Sequence, residues 1–169
     1  MKSPLKPSAL ALMASMVAPS ALAADLARFD GGIGVLPVSN VVQTDTTVTV
    51  NRNIVRGVSP AGQIWVIHEL RAAVKDDGRI RVGGRGLLLG GGNNIGGNAN
   101  ANVFATLICE AVEPFTEHNT ELAGVPLEPD GDFRIDDVLT PAPVDCASPV
   151  LLIRNAANLG WFAAGIPRR

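Results

Sequence analysis

Beyond residue 24 the apolar residues recur mostly at every second position, and glycine and proline clusters interrupt them about every ten residues. A period of two puts successive side chains on opposite faces of an extended strand, whereas an amphipathic helix needs a period near 3.6. The clearest stretch runs from Leu70 to Leu89. Leu70, Ala72 and Val74 alternate with Arg71, Ala73 and Lys75; Asp76-Asp77-Gly78 then turns the chain, and Ile80 and Val82 alternate with Arg79 and Arg81. Asp-Gly supplies the left-handed backbone of a tight turn, so this segment is expected to be a hairpin with one apolar face and one face of arginines.

The same rhythm, that of a sandwich or barrel, predicts the other strands. Thr44–Asn53 carries Val48 and Val50 on one side, Ile64–Ile67 is short and apolar, and Val103–Glu110 is apolar on both faces like a strand buried between layers. An edge strand is expected near Thr120–Leu127. Further strands are expected at Phe133–Leu139 after the turn Glu128-Pro129-Asp130-Gly131, at Val150–Arg154 and at Trp161–Gly165. A first strand around Ile33–Leu36 follows the irregular Gly31-Gly32-Ile33-Gly34, and no amphipathic helix is predicted after the first 23 residues. Trp65 and Trp161 lie in apolar stretches and are expected in the core.

Lys2 and Lys6 precede an apolar run from Ser8 to Ala18, a breaking Pro19 and the small pair Ala21 and Ala23. This is the layout of a secretory signal peptide over residues 1–23, cleaved before Ala24, and the run is too short to span a bilayer. The exported part, residues 24–169, has the size of one domain. It keeps Lys75 and eleven arginines against sixteen acids. Those arginines stand singly among acids, where a nucleic-acid binder needs clustered positive charge, so nucleic acid is not expected as a partner.

Cys109 and Cys146 are the two cysteines, and an even count in an exported chain predicts one intrachain disulfide. From Gly90 to Asn102 the chain is glycine and asparagine interrupted by Ile95 and alanines. Such composition buries little apolar area against the entropy of ordering, so a mobile binding loop is expected, with Asn93, Asn94, Ile95, Asn98 and Asn100 as its contact residues. No Lys-Ser or Lys-Thr follows to make it a phosphate cradle, and no cofactor is expected.

Catalytic candidates are few. Ser59 sits in Gly57-Val58-Ser59-Pro60-Ala61-Gly62, which lacks nucleophile-elbow spacing. His68-Glu69 begins like a zinc-protease helix, yet Ala72 stands where the second histidine is needed. His118, in Thr116-Glu117-His118-Asn119-Thr120, is expected in a solvated loop. The acids Asp76-Asp77, Glu128, Asp130, Asp132 and Asp136-Asp137 fit turns; they do not reproduce an EF-hand, though calcium in the Asp130–Asp136 region is the alternative.

Several segments taken together resemble a group of small secreted bacterial proteins that carry one disulfide. They are Phe29-Asp30-Gly31-Gly32-Ile33-Gly34-Val35, Asn53-Ile54-Val55-Arg56-Gly57-Val58, Trp65-Val66-Ile67, Asp77-Gly78-Arg79 with Arg85-Gly86-Leu87, Cys109, Pro143 with Cys146 and Pro149, and Trp161-Phe162-Ala163-Ala164-Gly165. The resemblance implies a shared fold and brings no activity or functional residue with it. The expectation is therefore an all-β, single-domain antiparallel β-sandwich of the Ig-like or Greek-key type with one disulfide, secreted or periplasmic. It is expected to act as a non-enzymatic binding or structural module. Two alternatives belong to other classes. A small secreted hydrolase would gather Asp130, Asp132 and Asp136 with His68 or His118 in one pocket, and a self-assembling envelope subunit would meet a second copy or an envelope protein through an exposed sheet edge.

Overall fold

The computed structural model describes residues 23–168; the leader expected over residues 1–23 lies outside them except for Ala23. In chain order the strands are β1 (Asp25–Gly34), β2 (Val38–Thr44), β3 (Thr47–Arg52), β4 (Trp65–Val66), β5 (Glu69–Lys75), β6 (Arg79–Arg85), β7 (Leu88–Leu89), β8 (Asn102–Ile108), β9 (His118–Asn119), β10 (Val125–Pro126), β11 (Phe133–Val138), β12 (Val150–Asn155) and β13 (Trp161–Pro167). No helix occurs among the described residues.

The predicted hairpin is β5–β6, paired from Glu69 opposite Arg85 to Val74 opposite Ile80. Gly78 closes its turn at a φ of 84°, a conformation that costs glycine nothing and a residue with a Cβ about 1 kcal/mol or more. Leu70, Ala72, Val74, Ile80 and Val82 are buried and the arginines face out, as the alternation requires. β5 also pairs β1, and β6 pairs β11, so the hairpin forms the middle of a larger antiparallel sheet in the order β10-β8-β12-β13-β1-β5-β6-β11, with β9 added beside β8.

That sheet curls until its two ends meet. Asn119 on β9 and Thr140, two residues beyond β11, exchange backbone hydrogen bonds of 3.0 and 2.8 Å. The Glu121 amide reaches the Asp137 carboxylate at 2.8 Å. The architecture is thus all-β, antiparallel and disulfide-bonded as expected, but in place of two stacked sheets the main sheet is nearly barrel-shaped. Alternation tells which face of each strand is buried, and that pattern is the same in a sandwich and a barrel. Closure is set by irregularities such as the register shift between Phe29 and Gly32 on β1, where Gly31 has a φ of 100°, and the shift between Ile153 and Arg154 on β12. Such bulges increase local twist and bend the sheet.

Inside lie Phe29, Leu70, Val74, Ile80, Leu107, Leu151 and Ile153, each large side chain contributing about 1.5–3 kcal/mol by leaving water. On β8, β12 and β13 the outer face is buried as well. Phe104, Thr106, Leu152 and Arg154 point away from the interior of the barrel, yet all are covered. The segment 53–61 lies over this half, held by the Trp161 Nε1 bond to the Asn53 carbonyl (3.0 Å) and by Arg56, which donates to the carbonyls of Ile108 (3.2 Å) and Ser148 (2.7 Å). Trp65 stacks on Phe162 with ring centroids 3.8 Å apart, so both tryptophans are core residues.

Cys109, just past β8, is bonded to Cys146, just before β12. Since β8 and β12 are neighbours, the bond clasps the two ends of a 37-residue excursion that contains β9, β10, β11 and the seam of the sheet. β2 and β3 stand apart from the main sheet as a two-stranded arm. Val48 and Val50 lie on one face of it with Val41, as the alternation predicted, but all three are exposed.

Candidate functional site

The sequence disperses the arginines; the register of the sheet gathers them. On the outer face, Arg28 of β1, Ala73 of β5, Arg81 of β6 and Asp136 of β11 form one row, and Asp30, Arg71, Gly83 and Arg134 form the next. Glu69 and Arg85 make a third, and Arg168 is bonded to the Arg28 carbonyl through its backbone amide (2.9 Å). A shallow open depression of about 1060 Å³ runs across these rows, with Ala73 and Gly83 as its floor and arginine side chains as its walls. The walls are well solvated: Arg71 and Arg81 are each 74% exposed.

Ion pairs hold part of this surface. Arg71 meets Glu69 at 2.9 Å and Asp30 at 3.7 Å, Arg81 meets Asp136 at 3.1 Å, and Arg85 meets Glu69 at 3.3 Å. Arg134 and Arg168 form no ion pair among the described residues. Exposed pairs of this kind contribute about 0–1 kcal/mol each, so an incoming anion exchanges them at little cost. Lys75 and Arg28 lie against Asp25 and hold its carboxyl below the ordinary range. At the hairpin turn the Arg79 backbone amide, with its guanidinium behind it, does the same to Asp77.

The covered half carries a different polar centre. Arg154 is buried; it donates to the Leu159 carbonyl (2.8 Å), Thr106 Oγ1 (3.3 Å) and Glu117 (2.6 Å), and lies over the Phe104 ring. All its partners are satisfied, which is the arrangement of a structural ion pair. Nearby, Arg56, Glu113, Phe115 and Glu117 border a smaller open hollow. The Thr116 amide holds Glu110 below its usual carboxylate range.

The candidates from sequence land apart. His118, expected in a solvated loop, is buried on β9 with Nδ1 2.6 Å from the Pro141 carbonyl; its polar neighbours in the chain concealed a residue facing inward. His68 is exposed. Asp132 accepts the Gly86 amide (3.1 Å), Asp130 accepts the Asp132 amide (3.1 Å), and Asp136 pairs with Arg81. Asp132 borders the arginine-walled depression, whereas Asp130, Asp136, His68 and His118 do not. Ser148 accepts from Arg56 and Ser39 donates to the Asn51 carbonyl. Among the described residues no three His, Cys, Asp or Glu side chains gather as a metal site.

In the glycine-rich loop, Asn93, Asn94 and Ile95 are exposed at its tip. Its course is hydrogen-bonded: the Gly96 amide donates to the Leu89 carbonyl (2.8 Å), the Leu89 amide to the Gly97 carbonyl (2.9 Å), and the Asn98 side chain bridges the carbonyls of Leu127 and Glu128. Asn98 therefore anchors the loop, while Asn100, exposed beside it, donates its amide to the Asn98 side chain. Composition showed how little the loop buries, and it hid these backbone partners.

Comparison of the chain with protein-family models, with curated proteins and with solved structures finds no match. Among the described residues no helix is long and apolar enough to cross a membrane.

Proposed function

We propose that the chain is an exported, non-enzymatic binding module, secreted or periplasmic like the small proteins it resembles, and that its working surface is the arginine-walled face of β1, β5, β6 and β11. The observation that carries this is the gathering of Arg28, Arg71, Arg81, Arg85, Arg134 and Arg168 around one depression in a chain that is otherwise acidic. A local surplus of arginine over acid in an acidic chain favours an anionic partner at this face. Acids are interspersed at Asp30, Glu69, Glu128 and Asp132 around the depression, and Asp136 pairs with Arg81 beside it. A partner bearing hydroxyl donors as well as anionic groups satisfies both signs, and an acidic polysaccharide has that chemistry. Both tryptophans are buried, so binding rests on charge and hydrogen bonds without sugar stacking.

The test is retention of residues 24–169 on immobilised dextran sulfate against neutral dextran, across a salt series. Retention on the sulfated matrix alone, falling with salt and abolished in an Arg71→Gln/Arg81→Gln/Arg134→Gln triple variant, is expected. No retention at low salt, or equal retention of the triple variant, overturns the reading; tighter binding to DNA replaces the polysaccharide with nucleic acid.

A second reading rests on the β2–β3 arm. Both of its faces are exposed, its outer edges are unpaired, and between Val38 and Asn51 its one charged residue is Asp45. It lacks the lysines and prolines that usually blunt an edge strand, so it is suited to strand addition with a second copy. Light scattering on the purified chain should report a dimer that a Val41→Lys/Val50→Lys variant dissolves; a monomer at all concentrations removes this reading.

A further inference from the structure

Gly83 is the centre of the arginine face. It lies between Arg71 and Arg134 across the sheet and between Arg81 and Arg85, two residues either way along its own strand. A Cβ at this position would meet nothing within 4 Å, so the space above the backbone is open. With strands about 4.8 Å apart, Arg71 and Arg134 spring from points about 10 Å from each other, and Arg81 and Arg85 from points about 13 Å apart. Two guanidinium groups bonded to opposite sides of one small anion are separated by about 7–8 Å, given contacts near 2.8 Å. The arginine stems are long enough to close to that separation once Arg71, Arg81 and Arg85 swing from the carboxylates of Asp30, Glu69 and Asp136, which hold them at the rim of the open space.

We infer that the square over Gly83 is a seat for a tetrahedral oxyanion, a sulfate or phosphate ester on the acidic partner. This deepens the binding function proposed above and rests on it. The number of donors decides the class of anion. A carboxylate is planar and offers its two oxygens within one plane, whereas a tetrahedral monoester offers three free oxygens in three directions, which is what guanidinium groups on four sides can serve. Arg134 has no carboxylate partner among the described residues and is the guanidinium free to bind first. Arg71, Arg81 and Arg85 exchange their contacts with Glu69, Asp30 and Asp136 for the anion. A side chain at position 83 would occupy the seat itself, without disturbing the interior, because this residue points away from the core.

The experiment is NMR titration of residues 24–169 with sodium sulfate, sodium phosphate or sodium acetate at constant ionic strength held with chloride, following the arginine Nε–H signals. Saturable shifts confined to Arg71, Arg81, Arg85 and Arg134 are expected with sulfate or phosphate and not with acetate, and the stronger of the two names the ester. Arg134→Gln and Gly83→Leu should each weaken the binding about tenfold. Arg79→Gln, at the hairpin turn beside Asp77, should leave it unchanged. Acetate acting as well as sulfate, shifts spread over all the arginines, or equal losses in Arg134→Gln and Arg79→Gln would overturn the seat. Retention on dextran sulfate that persists in Gly83→Leu would leave the binding module standing and remove this site alone. Loss of all retention in the wild-type chain would remove both.

Discussion

The two halves of the main sheet treat their outer faces in opposite ways. On β8, β12 and β13 the outer side chains, Phe104, Thr106, Leu152 and Arg154, are covered by the chain's own segments, and a disulfide clasps the strand ends. On β1, β5, β6 and β11 the outer face is left to water and carries arginines. Both halves share one interior, so the difference lies in what the second face is used for. Covering both faces concentrates stability in one half. The other half can then carry a charged surface that contributes little to folding. Substitutions should therefore divide cleanly, those in the covered half changing stability and those on the open face changing binding.

The largest effect is expected at the clasp. Replacing Cys109 and Cys146 by Ser releases a loop of 37 residues, and the chain-entropy model puts the loss at about 4 kcal/mol. Urea unfolding of the double variant should show a midpoint far below that of the parent, and reductant should move the parent to the same place. An unchanged midpoint would mean that the seam between β9, β10 and β11 is held by pairing alone.

Next comes Arg154→Met. It removes the partner of Glu117 and Thr106 from a buried position and costs about 3 kcal/mol, the low end for a broken buried pair because Glu117 opens to water. Arg71→Met on the open face should stay within about 0.5 kcal/mol. If thermal melts gave the two variants equal losses, the division between the halves would fail.

The sharpest version of the comparison sits within one strand. Gly83 and Gly84 are consecutive on β6 and point to opposite faces. A Cβ on Gly84 would lie 2.1 Å from the Phe133 ring, while one on Gly83 meets nothing. Gly84→Ala must displace a core aromatic and should cost about 2 kcal/mol. Gly83→Ala should be neutral or stabilise by a few tenths, since alanine loses less backbone entropy in a strand. Denaturation midpoints of the two alanine variants test this directly; similar midpoints would place Phe133 elsewhere.

How much of this was legible in sequence depends on how far each partner lies along the chain. The β5–β6 hairpin was readable residue by residue, because its alternation and its Asp-Gly turn are local. The burial of β8 on both faces was visible in a run of apolar residues interrupted only by Thr106. The arginine square was not, because Gly83 meets Arg134 only through pairing with a strand some fifty residues later, and alternation carries no record of which strands become neighbours. The arm shows the converse limit. Val48 and Val50 alternate as a core strand does, and nothing local tells that no layer covers them. His118 was misplaced for a related reason: its polar neighbours face water while β9, joined to β8, turns the imidazole inward.

The smallest effect expected is a dependence on acidity in the open half. The folded-state pKa of Asp25 lies below its unfolded value because Lys75 and Arg28 favour the carboxylate. The folded state therefore releases this proton more readily than the unfolded chain, and the contribution is fully present above the unfolded pKa of about 3.9. It is lost as pH falls through the lower folded value. Asp25→Asn should accordingly be slightly less stable than the parent at pH 6 and converge on it in strong acid, with the gap at pH 6 narrowing in 1 M NaCl, where exposed charges are screened. A gap that persisted in strong acid would assign the loss to packing of the Asn side chain. A gap insensitive to salt would mean that Asp25 and Lys75 are shielded from water, contrary to an open face whose ion pairs yield to an incoming anion.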